Sequence, residues 1–190
     1  MHFSGGGFNN IKSQLNVLAQ EKNTRTVITA IKELTKIGYS ITDDAVYTGF
    51  ENVVMLTGLM GRWQQLSDKP RIICDTGHNS HGIKYIVEQL RNEQYDNLHI
   101  VFGMVNDKDV SSVLELMPKD AKYYFTRASI ERALTPEEIE KKALVYGLRG
   151  DTYDNIKQAI DAAKQNADEN DLIFIGGSSF IVADALPYFV

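Results

Sequence analysis

The stretch Arg71-Ile72-Ile73-Cys74-Asp75-Thr76-Gly77-His78-Asn79 decides the fold. A short β-rich apolar run breaks at an aspartate, a glycine and an asparagine, and Ile83, Ile86, Val87 and Leu90 then fall on one helical face. This is a strand that turns and returns as an amphipathic helix. Residues 99–102 repeat the strand signal, and Val110, Val113, Leu114 and Met117 repeat the helical spacing until Pro118 stops it. Residues 122–126 are a third β-rich run. Thr135-Pro136-Glu137-Glu138 is a capping box with proline at the first helical position, opening a helix that should end near Gly147. Ile156, Ala159, Ile160 and Ala163 mark another helix, residues 172–175 another strand, and Ser178 begins a last helix. Such alternation predicts an α/β fold: a Rossmann-like, mostly parallel sheet with helices on both faces.

Upstream the pattern is different. Ser4-Gly5-Gly6-Gly7 reads as a mobile arm or loop. Val27, Ile31 and Leu34 recur at helical spacing within residues 26–37, Gly38 offers a stop, and Thr42-Asp43-Asp44 starts a second helical stretch. A short helical segment therefore precedes the α/β part. Residues 58–70 read as an unperiodic linker containing Gly61-Arg62-Trp63, which sets the expected division at residues 1–60 and 61–190.

In a parallel α/β sheet, ligands bind beyond the carboxyl ends of the strands. That rule selects residues 75–79, 103–109 and 176–179. Asp75 can accept hydrogen bonds from sugar hydroxyls, and His78 can hold a carboxylate or phosphate oxygen. Asp75 and Asn79 can equally well satisfy turn and cap amides, with His78 a surface residue. Asp109 is placed to cap the next helix, beside an Asp107–Lys108 pair. Gly176-Gly177-Ser178 lets backbone amides approach an anion, and is also an ordinary strand-to-helix connection. Arg62 can pair with phosphate through two parallel hydrogen bonds, or can simply be solvated.

Composition narrows the classes. Twenty basic against 25 acidic side chains give a net charge of -5, which disfavours a nucleic-acid partner. The single cysteine, Cys74, reads as a small core residue in a reducing, cytoplasmic setting. No apolar run approaches the roughly 20 residues that span a bilayer, so no membrane association is expected. His78 and His81 have no cysteine or carboxylate cluster to complete a metal site.

In their order along the chain, these pieces resemble the folylpolyglutamate synthase and dihydrofolate synthase family, a branch of the Mur ligase superfamily. Gly61-Arg62 followed by Asp75-Thr76-Gly77-His78-Asn79 resembles the family's G-R and D-G-A-H-N segments. Asp107-Lys108-Asp109 is similar to its D-K-D, and Arg132-Ala133-Leu134 and Gly177-Ser178 follow in the family's order. Residues 20–26 resemble the Y-Q-x-x-N-x-x-T-A helix of the ATP-binding central domain, with Glu21 where the family has tyrosine. Thr76 likewise replaces alanine.

The resemblance implies an ATP- and magnesium-dependent ligase that phosphorylates a folate or dihydropteroate carboxylate and transfers the acyl group to L-glutamate. Residues 1–60 would be a helical remnant of the central domain, and 61–190 the glutamate-binding carboxyl-terminal domain. Arg62 would contact nucleotide phosphate, Asp75 the ribose, and His78 and Ser178 the glutamate, supported by Asn79, Asp107, Lys108 and Asp109. The phosphate-binding loop G-x-x-G-K-G-S/T does not occur in these 190 residues, nor do the magnesium ligands that accompany it. A missing amino-terminal half is expected to supply them, and the chain alone is expected to be inactive. Two alternatives are a peptidoglycan-precursor ligase domain of the same superfamily and a standalone nucleotide-binding regulatory module.

Overall fold

In the computed structural model, which describes residues 2–15, 17–106 and 109–189, the chain divides into two units, Met1–Arg62 and Trp63–Val190. The first opens with an antiparallel hairpin, β1 (His2–Gly5) and β2 (Phe8–Lys12). The glycine-rich stretch, expected to be a mobile arm or loop, is thus the hairpin turn. Gly6 and Gly7 have φ of 61° and 87°, the left-handed conformation that two-residue hairpin turns demand. Three helices follow: α1 (Gln20–Lys36), α2 (Asp43–Glu51) and α3 (Val53–Thr57). Thr42 caps α2 by accepting from the Ala45 N–H at 3.2 Å. Ile11, Ile28 and Val46 form a small core with Phe3, Phe8 and Phe50 packed against it. The helix thus begins six residues before the expected start and buries Thr24 and Ile28, whereas Val27 and Leu34 are exposed. Leu15, Val27, Ile31, Ile41, Phe50 and Val53 line a mostly apolar cavity of about 280 Å³.

The second unit is a six-stranded sheet. Its elements are β3 (Gln64–Asp68), β4 (Arg71–Cys74), α4 (Ser80–Asn92), β5 (Leu98–Phe102), α5 (Val110–Leu114), β6 (Ala121–Phe125), α6 (Pro136–Val145), β7 (Arg149–Thr152), α7 (Ile156–Asn166), β8 (Leu172–Gly176) and α8 (Ser179–Ala185). The strand order is β3-β4-β8-β5-β6-β7, parallel except for the β3–β4 pair. The mostly parallel α/β fold expected from the sequence is present. Two strands of this sheet escaped the sequence reading, and both are its edges. β3 lies inside the supposed linker, and β7 reads Arg-Gly-Asp-Thr, with no apolar run to announce it. An edge strand pairs on one side only and needs less apolar surface.

The inner strands are apolar throughout because both faces are covered. Side chains alternate between two cores. Ile73, Ile100, Phe102, Tyr123, Phe125 and Phe174 pack on one face with Ile83, Ile86 and Leu90 of α4 and Ile139 of α6. Ile72, Cys74, Val101, Tyr124, Ile173 and Ile175 pack on the other with Ile160 of α7 and Ile181 of α8. Each such side chain stabilises the fold by about 1.5–3 kcal/mol. Burial, followed by the neighbouring Asp75, pushes the Cys74 thiol up to about 12, so it is an inert core group.

At the amino ends of the strands a polar cluster crosses the second core. His99 lies between the Asp171 carboxylate, 3.1 Å from Nε2, and the Tyr124 hydroxyl, 2.9 Å from Nδ1. The Asp171 carboxylate only accepts, so the ring N–H at Nε2 donates to it, and burial raises the Tyr124 phenol well above its ordinary range, so the hydroxyl beside Nδ1 keeps its hydrogen. For Asp171, burial opposes ionisation. Hydrogen bonds from the Asp168 N–H, the Asn97 side chain, His99 and the Asn97 N–H outweigh it and hold the carboxyl below its usual value. A depressed folded value means that this stabilisation is present at neutral pH and is lost as pH falls through it. Urea midpoints measured from neutral to acidic pH should therefore decline less steeply for Asp171→Asn than for the parent chain. Parallel declines would show that Asp171 contributes nothing to acid sensitivity.

Candidate functional site

The carboxyl ends of β4, β8 and β5 bring the three sequence-selected loops side by side. Neighbouring strands lie about 4.8 Å apart. The Asp75 N–H continues the sheet ladder to the Ile175 carbonyl at 3.2 Å, and the Gly103 N–H reaches the Gly176 carbonyl at 3.4 Å. Each loop therefore leaves the sheet in register with its neighbour.

Asp75 is almost fully buried, at 4 % exposure, and its carboxylate is engaged locally. Oδ1 accepts from the Gly77 N–H and Oδ2 from the Trp63 N–H, both at 2.8 Å. Trp63 has φ of 47°, a conformation uncommon outside glycine, and its ring lies 6.0 Å from that of Phe174. The acidic side chain thus ties the loop to the residue that enters β3. His78 is half-buried, with Nδ1 3.0 Å from the Thr76 carbonyl. A carbonyl only accepts, so Nδ1 bears the hydrogen and Nε2 remains for a ligand. Asn79 caps α4 by accepting from the Gly82 N–H at 2.8 Å.

Asp109 caps α5, accepting from the Ser112 N–H at 3.2 Å. Asp107 and Lys108 lie outside the described residues. In the third loop Gly177 has φ of 95°, and a β-carbon there would sit 2.6 Å from the Phe102 ring and 2.7 Å from the Gly103 carbonyl. The diglycine turn, expected to admit an anion, has a packing reason. Ser178, 2 % exposed, accepts from the Phe180 N–H at 3.2 Å and keeps its own O–H to donate. Arg62 is exposed and is the last residue of the first unit.

A fourth loop, after β6, was missed, although the strand-end rule that selected the others applies to it equally. The Thr126 N–H bonds to the Phe102 carbonyl at 2.9 Å, and residues 132–134 then pair with residues 104–106 of the β5 loop. The buried Thr126 Oγ1 has no hydrogen-bond partner among the described residues. No group of three or more histidine, cysteine, aspartate or glutamate side chains among them is arranged to hold a metal ion. Among the described residues no helix is long and apolar enough to cross a membrane.

The pattern of the family described as Mur ligase, glutamate ligase domain, matches residues 61–179, more than half of the chain. The chain belongs to this family. The dihydrofolate synthase/folylpolyglutamate synthase of Escherichia coli is 28% identical over 160 residues, covering 83% of this chain and 36% of that protein. Folylpolyglutamate synthase of Mycobacterium tuberculosis, solved with ADP and AMPPCP, superposes with a TM-score of 0.80 at 26% identity, covering 96% of this chain and 42% of that one. Escherichia coli FolC, solved with DHPP and ADP, gives 0.73 at 26% identity, covering 85% and 37%. This Mur ligase chain is thus related to the carboxyl-terminal portion of folylpolyglutamate/dihydrofolate synthases, and it spans about a third of the length of the curated relative.

Two substitutions test the geometry. Asp75→Ala leaves the Trp63 and Gly77 amides without their acceptor, which should cost about 1–3 kcal/mol. It should also shift the emission of Trp63, the sole tryptophan, to the red. Unchanged emission and stability would remove Asp75 as the clamp. Thr126→Val removes a hydroxyl that has no partner and should raise stability by about 1 kcal/mol in chemical denaturation. A loss would mean that the hydroxyl is satisfied in solution.

Proposed function

We propose that this chain is the glutamate-binding portion of an ATP-dependent ligase that joins L-glutamate to a folate or dihydropteroate carboxylate in the cytoplasm. The observation that supports it most is the convergence of His78 and Ser178, from the ends of adjacent strands, within the region matched by the glutamate ligase family pattern. Residues 1–60 then correspond to part of a central ATP-binding domain and 61–190 to the carboxyl-terminal domain. The folate enzymes among the relatives favour this branch over peptidoglycan-precursor ligases.

In this reading the carboxylate attacks the terminal phosphorus of ATP and ADP leaves. The glutamate amine then attacks the acyl phosphate and phosphate departs. The chain's own residues bind and orient. Arg62 meets nucleotide phosphate, and Asp75 a ribose hydroxyl. His78, fixed by Thr76, meets the glutamate through Nε2, and Ser178 donates its O–H. Asn79 and Asp109 act by capping the helices that shape the crevice, and supporting roles are proposed for Asp107 and Lys108, which lie outside the described residues. The relatives' complexes with ADP support a nucleotide. Among the described residues no group of three or more histidine, cysteine, aspartate or glutamate side chains is placed to hold magnesium. The phosphate-binding loop and metal ligands belong to a further segment or partner chain.

Combined with a polypeptide bearing G-x-x-G-K-G-S/T, the chain should support glutamate-dependent ATP hydrolysis with a folate-type acceptor. In that enzyme His78→Ala should raise the KM for glutamate about tenfold or more, a loss of about 1.4 kcal/mol, and leave the KM for ATP near its parent value. Normal glutamate dependence would remove His78 from the site. Submicromolar ATP binding by the chain alone, measured by calorimetry, would argue for a self-sufficient nucleotide module instead.

A further inference from the structure

A cavity of about 470 Å³ opens at the carboxyl ends of β6 and β7 and shares no lining residue with the loops at 75–79, 103–106, 132–134 and 176–178. Its walls are the first residues of the loops after those two strands and the end of α8. These walls are fixed. The Thr126 N–H bonds to the Phe102 carbonyl at 2.9 Å and the Tyr153 N–H to the Phe125 carbonyl at 2.8 Å, so both loops leave the sheet as strand continuations. The Asp184 carboxylate of α8 accepts from the Ser129 N–H at 2.6 Å and from the Ser129 hydroxyl at 3.0 Å. Asn155 accepts from the Gln158 N–H at 3.0 Å and so sets the start of α7.

Two opposite charges line this space without meeting. Arg127 is half-buried and Asp154 exposed, and neither side chain has a hydrogen-bond or ion-pair partner among the described residues. A guanidinium withdrawn from water is ordinarily paired, because burial of an unpaired charge is costly. Its planar fork of N–H donors matches a carboxylate. The lining as a whole nevertheless carries one cation against two carboxylates, Asp154 and Asp184. A lone anion on Arg127 would face both of them, and a lone cation on Asp154 would face the guanidinium. Ala128 and Ile156, both buried, supply an apolar floor beside Pro187.

We propose that this cavity is a second ligand site, taking a small α-amino acid with an apolar side chain. Its carboxylate lies on Arg127, its ammonium group on Asp154 and its side chain against Ala128 and Ile156. A zwitterion is the ligand for which neither charge of the lining is repulsive. The volume is within the range of small-molecule sites, roughly 300–1,000 Å³. The place also accords with the rule that ligands of parallel α/β sheets bind beyond the carboxyl ends of the strands. The site stands apart from the crevice and does not depend on the reading of the crevice as a glutamate site.

The test is a titration of the 15N-labelled chain with L-alanine, L-valine and L-leucine, each followed through the amides of Ser129, Asn155 and Ile156. At least one should give saturable shifts there. For that amino acid, the amide derivative, which lacks the carboxylate, and the deaminated acid, which lacks the ammonium group, should each bind about tenfold or more weakly. Arg127→Ala and Asp154→Ala should weaken it to a similar extent while the amides of the central strands keep their positions. Arg127→Lys, which retains the charge but not the fork, should recover part of the loss. No saturable shift with any of the three amino acids overturns the proposal. Equal affinity for the amino acid and both derivatives, or undiminished affinity in Arg127→Ala and Asp154→Ala, overturns it as well.

Discussion

The hydrogen-bond ladder of the parallel sheet runs one residue beyond the strands, and the crevice depends on this. Asp75 bonds to Ile175, Gly103 to Gly176, Thr126 to Phe102 and Tyr153 to Phe125, each through its backbone N–H. The first residue of the loops after β4, β5, β6 and β7 is therefore held as a strand residue is. Any side chain that follows within two or three positions inherits that placement. The ladder itself persists because the central strands bury alternate side chains in two separate cores, so a shift of one residue would exchange both sets at once.

Local hydrogen bonding then divides the polar residues between shaping the crevice and facing it. Asp75, Asn79 and Asp109 each accept backbone N–H groups, and so convert loose strand-to-helix connections into fixed corners. His78 is oriented by a carbonyl on one nitrogen, which leaves the other for chemistry. Ser178 accepts from the chain and retains a donor. Side chains with one committed and one remaining function are what a positioning site needs, because the uncommitted atom cannot wander.

The inner strands and their helices were legible because a buried strand must be apolar and a one-faced helix must repeat its apolar positions. Residues 71–74 and the stripe Ile83, Ile86, Val87, Leu90 satisfy both conditions. The edge strands were not legible, since Gln64–Asp68 and Arg149–Thr152 need neither condition. The hairpin was hidden by its own turn, because a run of glycines reads as freedom when viewed without the flanking Phe3, Phe8 and Ile11. In the crevice, the sequence located Asp75 and Gly177 but could not tell that the Asp75 carboxylate is engaged by Trp63, twelve residues earlier, or that Gly177 makes room for Phe102. Those partners are brought together only by the sheet.

The two units differ in how much of their apolar surface they cover. The second holds two continuous cores, whereas the first fully buries little beyond Ile11, Ile28 and Val46. Val27 and Leu34, which share a helical stripe with Ile31, stay exposed, as do Ile37, Met55 and Leu56. A unit of about 60 residues has too much surface for its volume to do much better alone. Its stripe is nevertheless as regular as that of α4, and regular apolar spacing is costly to leave in water. The relatives that this chain matches are more than twice its length, so in them there is ample chain to cover such a face. The binding crevice, by contrast, rests on the unit whose cores are closed. Placement of His78 and Ser178 should therefore survive even where the first unit is only marginally stable.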